Sequence, residues 1–255
     1  MKTKLTTMTK LLISVRNANE AKIALAAGAD LIDIKEPDRG SLGAAKPETI
    51  NQVIRVVGSR VPLSAALGEL NKTYADCWNR SAWSALEPGL NYAKIGLAGC
   101  ATWADWPQRW ADALAEFPPD ILPVAGVYAD FVDAGSPRPD EVLFHASCLG
   151  CGAILLDTFD KSRGDLLEHW SLEKIAQFVA DSNKRGLLAV LGGSLTMETI
   201  SKLSNAKLMP YAPDYFAVRG AACVGGRTSE ILGKKVLQLS RYVHSRQKTA
   251  DLQTP

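Results

Sequence analysis

Three lysines and two aspartates stand at or near the ends of short apolar runs. That placement is costly unless the fold turns each side chain toward a cleft. Lys35 closes the run Asp30-Leu31-Ile32-Asp33-Ile34-Lys35, and Lys94 interrupts Tyr92-Ala93-Lys94-Ile95-Gly96-Leu97. Lys161 comes four residues after Ala153-Ile154-Leu155-Leu156-Asp157. An ordinary lysine is protonated at neutral pH and is a poor nucleophile. Crowding with other cations, or partial desolvation, lowers its pKa and frees the lone pair. One lysine of such a group could then form a Schiff base while another stays charged or moves protons. Asp33 and Lys35 are two residues apart, so on a strand they share a face. Asp157 ends its own run, where a carboxylate could shuttle protons or hold a carbinolamine hydroxyl. Singly, each aspartate is explained as well by a local salt bridge, and Lys94 by a structural ion pair. The constellation points to amine chemistry on a small phosphorylated carbonyl compound.

The elements that must position these groups alternate strand and helix. Apolar runs predict strands at Leu11–Val15, Leu31–Ile34, Leu63–Leu67, Tyr92–Leu97, Leu122–Val127, Ala153–Leu156, Leu187–Leu191 and Tyr215–Val218. Amphipathic segments predict helices at Ala18–Ala27, Pro47–Val57, Tyr74–Leu86, Trp103–Glu116, Asp140–Cys148, Leu172–Asn183, Met197–Leu203 and Glu230–Tyr242. Eight such units in 255 residues predict a single α/β domain, a (β/α)8 TIM barrel over residues 1–248. A doubly wound sheet would usually need fewer units and would favour a GxGxxG turn after the first strand, which is absent. The polar tail Thr249–Pro255 is expected to be disordered.

Gly192-Gly193-Ser194 follows the seventh strand. Arg219-Gly220-Ala221-Ala222 follows the eighth, with Gly225-Gly226-Arg227 just beyond. Barrel enzymes often hold phosphate with backbone N–H groups from these two loops. Glycine permits the close approach, and Arg219 would add a bidentate charge. Gly193, Ser194, Arg219 and Gly220 are therefore the expected phosphate site, against the plainer reading of ordinary turn glycines.

Composition narrows the rest. Apolar residues make up 47% and charged residues 22%, which suits a globular protein, and a net charge of +2 leaves no footprint for nucleic acid or an anionic membrane. No run approaches a membrane span or a signal peptide, so a cytoplasmic protein is expected. Cys148-Leu149-Gly150-Cys151 is a lone CxxC, and His145, His169 and His244 complete no zinc spacing, so inert thiols and no metal are expected. No organic cofactor is expected either, because an imine supplies the electron sink. Trp103, Trp106 and Trp110 recur at helical spacing, with Trp78 and Trp83 on the preceding segment. Such bulk suits an interface core as well as helix-to-barrel packing, and a homo-oligomer is expected.

The sequence then becomes familiar. Ala26-Ala27-Gly28-Ala29-Asp30-Leu31-Ile32-Asp33-Ile34-Lys35-Glu36-Pro37 and Gly40-Ser41-Leu42-Gly43-Ala44 closely resemble the signature of (5-formylfuran-3-yl)methyl phosphate synthases, also called 4-(hydroxymethyl)-2-furancarboxaldehyde-phosphate synthases. Tyr92–Leu97, Leu156-Asp157-Thr158, Gly193-Ser194 and Val218-Arg219-Gly220-Ala221-Ala222-Cys223 match in order, so the resemblance spans Leu12 to Leu239. It implies a lysine-dependent TIM barrel that condenses two glyceraldehyde 3-phosphate molecules into a furan aldehyde phosphate, losing phosphate and water. That furan is the core of methanofuran-type one-carbon carriers. It further implies Lys35 as the Schiff-base residue and Lys94 as the proton acceptor, with Asp33, Asp157 and Lys161 as the remaining charged pocket positions. Val224 departs from a more basic family loop after Arg219. An aldolase making an acyclic sugar phosphate stays open as the related alternative, and a non-catalytic scaffold barrel as the unrelated one.

Overall fold

In a computed structural model, residues 8–71, 80–205, 209 and 211–251 are described. Strands β1 (Lys10–Val15), β2 (Leu31–Ile34), β3 (Leu63–Glu69), β4 (Tyr92–Gly96), β5 (Leu122–Tyr128), β6 (Ala153–Asp157), β7 (Leu188–Leu191) and β8 (Tyr215–Val218) pair in parallel in chain order. The pairing of β8 with β1 closes the barrel. Helices on the outside include Ala18–Ala26, Pro47–Val57, Trp106–Ala115, Pro139–Cys148, Leu172–Lys184, Met197–Leu203 and Gly233–Asp251.

The side-chain period of two divides every strand between two cores. Leu11, Ile13 and Val15 of β1 and Ile32 and Ile34 of β2 face outward, fully buried under the helices. Leu12, Leu31, Val124, Ala153, Leu155, Val190 and Tyr215 face inward and fill the barrel. Continuing the inward set toward the strand C-termini gives Ser14 on β1, Asp33 and then Lys35 on and after β2, Lys94 on β4 and Asp157 on β6. Arg219 follows β8 in the same sense. The chemistry-bearing residues thus continue the apolar interior at the mouth where barrel enzymes carry their sites.

The helices seat on this barrel by their apolar faces. Pro47–Val57 begins with proline at its first turn, buries Ile50, Val53, Ile54 and Val57, and stops at Gly58 with φ 58°. The helix Ala18–Ala26 is capped by Asn17, whose side chain accepts from the Glu20 N–H at 3.0 Å. The last helix runs on to Asp251, into the segment expected to be a tail. Residues 252–255 lie outside the described residues.

The tryptophans need a correction. Trp106 opens its helix, so Trp103 lies in the turn before it and not on the same helical face. Trp83, Trp106 and Trp110 are buried in the layer between helices and barrel, and the Trp83 ring packs on Phe117 at 4.9 Å. The outward-facing residues Ala93 and Ala125 of β4 and β5 are small, and the indoles belong to the same core. These three rings therefore pack in the interior of the single chain. Trp78 lies outside the described residues. No helix among the described residues is long and apolar enough to cross a membrane.

Candidate active site

All nine residues singled out above, namely Lys35, Lys94, Lys161, Asp33, Asp157, Gly193, Ser194, Arg219 and Gly220, line one cavity of about 380 Å³ at the barrel mouth. Ser14, Leu42, Ala217 and Arg227 are among the others on its wall.

The three lysines differ sharply in their partners. Lys94 is buried in an ion pair with Asp33 at 2.5 Å. Asp33 also accepts from Ser64 Oγ at 2.5 Å and Ser14 Oγ at 3.0 Å. Those serines are its register partners on β3 and β1, so the sheet itself delivers them. A buried pair is tolerable only with its remaining lone pairs satisfied, and the two hydroxyls do that. Lys161 pairs with Asp157 at 2.5 Å and donates to the Thr158 carbonyl. Asp157 also accepts from the Thr158 N–H at 2.8 Å, and the Ser41 hydroxyl lies 3.2 Å from its other oxygen. Lys35 has no carboxylate partner. Its Nζ reaches only the Ser41 carbonyl, at 3.5 Å, and no carboxylate among the described residues is at ion-pair distance.

These environments set the protonation states. Burial lowers the Lys35 pKa to about 8, against the attraction of Asp157 and Asp33 and with help from the charges of Lys161 and Lys94. Burial also lowers the pKa of Lys161, partly offset by Asp157. For Asp157, burial works upward, but the charges of Lys161 and Lys35 and its hydrogen bonds outweigh it and hold the carboxyl down at about 2. The cavity therefore presents an amine that is readily deprotonated beside a fixed carboxylate.

Ser41 sits on a tight loop after β2. The Glu36 N–H donates to the Gly43 carbonyl at 2.9 Å. A Cβ on Gly43 would stand 2.1 Å from the Glu36 carbonyl oxygen, a backbone atom that cannot step aside. Glycine there lets the loop fold back and bring Ser41 over Lys35 and Asp157.

The two loops expected to hold phosphate border the cavity. Gly193 has φ 89° and Ser194 φ 54°, the only positive φ outside glycine among the described residues. That conformation turns the loop into the cavity at the end of β7. Arg219, however, is already engaged through every N–H it owns. It pairs bidentately with Glu20 at 2.9 and 3.3 Å and donates to the carbonyls of Ser14 at 2.9 Å, Ser229 at 3.0 Å and Arg227 at 2.5 Å. The bidentate phosphate contact expected of Arg219 has no donors left to make it. Its partner is Glu20, the third residue of the helix Ala18–Ala26, which sequence reading passed over.

Ser14 and Ser64 are not singled out in the sequence analysis, and Arg227 is noted there beside the second glycine cluster without being named as a ligand. A serine inside an apolar strand was the available signal for the first two. For Arg227 it was the second glycine cluster, Gly225-Gly226, directly before it. The CxxC holds two free thiols, Cys148 exposed and Cys151 buried, and burial pushes Cys151 up to about 12.

Comparison with known proteins fits this geometry. The family model described as 4-HFC-P synthase matches residues 11–240. The chain belongs to that family. A (5-formylfuran-3-yl)methyl phosphate synthase from Methanobrevibacter smithii is 32% identical over 92% of this chain and 99% of its own length. One from Methanothermobacter thermautotrophicus is 33% identical over 92% and 99%. A putative one from Kitasatospora aureofaciens is 34% identical over 85% and 86%. Among solved structures, phosphoribosyl anthranilate isomerase from Thermotoga maritima superposes with a TM-score of 0.64 at 14% identity, covering 93% of this chain and all of that one. The counterpart from Thermus thermophilus gives 0.58 at 13%, over 95% and 100%. At such identities the likeness speaks to the barrel alone.

Proposed function

We propose that this synthase condenses two glyceraldehyde 3-phosphate molecules into (5-formylfuran-3-yl)methyl phosphate through a Schiff base on Lys35. The observation that carries this reading is the inequality of the three lysines. Lys94 and Lys161 are each held by a carboxylate, while Lys35 is buried among them without one, with its pKa at about 8. The free amine of Lys35 attacks the aldehyde carbon, and loss of water leaves an iminium. The iminium makes the adjacent carbon acidic, so a proton can pass to a nearby base and the resulting enamine can attack a second aldehyde. The Lys94–Asp33 pair is the proton acceptor in this scheme: the carboxylate supplies the lone pair, and Lys94 relays the proton by giving its own to Asp33. Lys161 with Asp157 handles hydroxyl and proton traffic on the opposite wall. A hydroxyl of the second unit then adds to the imine carbon, which closes the ring and expels the Lys35 amine, and loss of phosphate and of the aldol hydroxyl as water aromatises it. The loops at Gly193-Ser194 and Gly220 line the same cavity and suit a phosphorylated substrate.

Purified protein given glyceraldehyde 3-phosphate alone should yield a furan, seen as new ultraviolet absorbance and by mass. An acyclic sugar phosphate without that absorbance would support the aldolase alternative.

No bound metal is required by this scheme, because the protonated imine is the electron sink. Exhaustive chelation is expected to leave full activity. Activity lost on chelation and restored by one specific divalent ion would contradict the scheme.

A further inference from the structure

We infer that the phosphate of the substrate is gripped by Arg227, and that Arg219 is the positioning residue that presents Arg227 to the cavity. This rests on the reading of the site as one for phosphorylated aldehydes.

Arg227 lines the cavity with Lys161, Gly193, Ser194 and Gly225. It is half-buried, yet its guanidinium has no carboxylate partner among the described ion pairs. The one contact recorded for its side chain is from Nη2 to the Gly40 carbonyl at 2.8 Å. Four of its five N–H donors are therefore without a partner among the described residues and remain for an anion, whereas Arg219 has none. Burial lowers the Arg227 pKa, and Arg227 in turn helps to lower that of Lys161. Two cations that repel across one cavity wall are relieved by a dianion placed between them.

The surrounding loop is built to hold Arg227 in place. Arg219 Nε donates to the Arg227 carbonyl at 2.5 Å, and its Nη2 donates to the Ser229 carbonyl at 3.0 Å. Arg16 Nη1 donates to the Thr228 carbonyl at 2.6 Å. The Val224 N–H donates to the Glu230 carbonyl at 3.0 Å, closing the loop at its base. Three consecutive carbonyls, from Arg227 to Ser229, are thus fixed by arginines anchored on β1, the loop after it and Glu20. The side chain that this rigid loop sends into the cavity is Arg227. Its contact with Gly40 also joins the phosphate loop to the loop that carries Ser41.

The test uses Arg227→Ala and Arg227→Lys in the full chain, with circular dichroism melting to show that both fold. Inorganic phosphate binding, followed by calorimetry, should weaken about 10- to 100-fold in Arg227→Ala, the loss of one or two charge-assisted hydrogen bonds. The KM for glyceraldehyde 3-phosphate should rise by a similar factor. Arg227→Lys should recover part of both, because it keeps the charge and loses the fork. Phosphate binding needs no turnover, so it reports on Arg227 even if the product is not a furan. A wild type that does not bind phosphate, or a folded Arg227→Ala that binds it equally well, would overturn the inference.

Discussion

Borohydride added to the protein with glyceraldehyde 3-phosphate is expected to fix a phosphorylated three-carbon adduct on Lys35, and Lys35→Arg is expected to abolish it. With a pKa of about 8, Lys35 is unprotonated in roughly one molecule in ten at pH 7, against about one in 3,000 for an unperturbed lysine. A guanidinium with a pKa above ~12.5 leaves on the order of one in 10⁵ or fewer uncharged, so the substitution should cost at least about 10⁴-fold in imine formation while the charge is kept. The sign of the pH dependence follows. The reactive form is the neutral amine, so the trapping rate should rise about tenfold per pH unit below 8 and level off above it. Lys94→Arg and Lys161→Arg should slow turnover but leave an adduct that peptide mass places on Lys35. Trapping on Lys94 or Lys161 in the wild type, or a rate flat from pH 6 to 9, would sink the assignment.

The strands were legible because a parallel strand buried on both faces reads as an unbroken apolar run. β2 and β8 occur with the bounds expected, Leu31–Ile34 and Tyr215–Val218. β3 and β6 run further than their apolar residues, to Glu69 and Asp157, because backbone pairing continues where the inward side chain turns polar. Tyr128 and Asp157 are still register partners. The lysines were legible as cavity residues for the same reason in reverse, since a cation at a buried strand needs a cleft or a paired carboxylate. What escaped was tertiary. Nothing local to Asp33 announces that Ser14 and Ser64 flank it across two strand pairs. Helical spacing placed Trp106 and Trp110 on one face but could not say that the face looks inward. Arg219 stood in the expected loop, and its true partner lies 199 residues earlier in the chain.

That pairing carries the second large effect. Arg219 and Glu20 are almost wholly buried, with side chains 3% and 4% exposed. Glu20 also accepts from the Arg16 N–H at 2.7 Å, so its carboxylate ties β1, the helix Ala18–Ala26 and the loop after β8 together. Arg219→Ala would leave that carboxylate buried without its cation and would release the carbonyls of Ser14, Arg227 and Ser229. Breaking a buried pair from one side costs about 3–5 kcal/mol. For a domain of this size that corresponds to a fall in Tm of roughly 6–20 °C. A phosphate ligand exposed in a cavity would behave differently, raising KM with little change in Tm. The double variant Glu20→Gln with Arg219→Met should recover most of the lost Tm, because no uncompensated charge remains, yet its KM should stay high, because Arg227 would still have lost its anchor. An Arg219→Ala protein that melts within about 1 °C of the wild type, with KM alone raised, would return Arg219 to the role of a phosphate ligand.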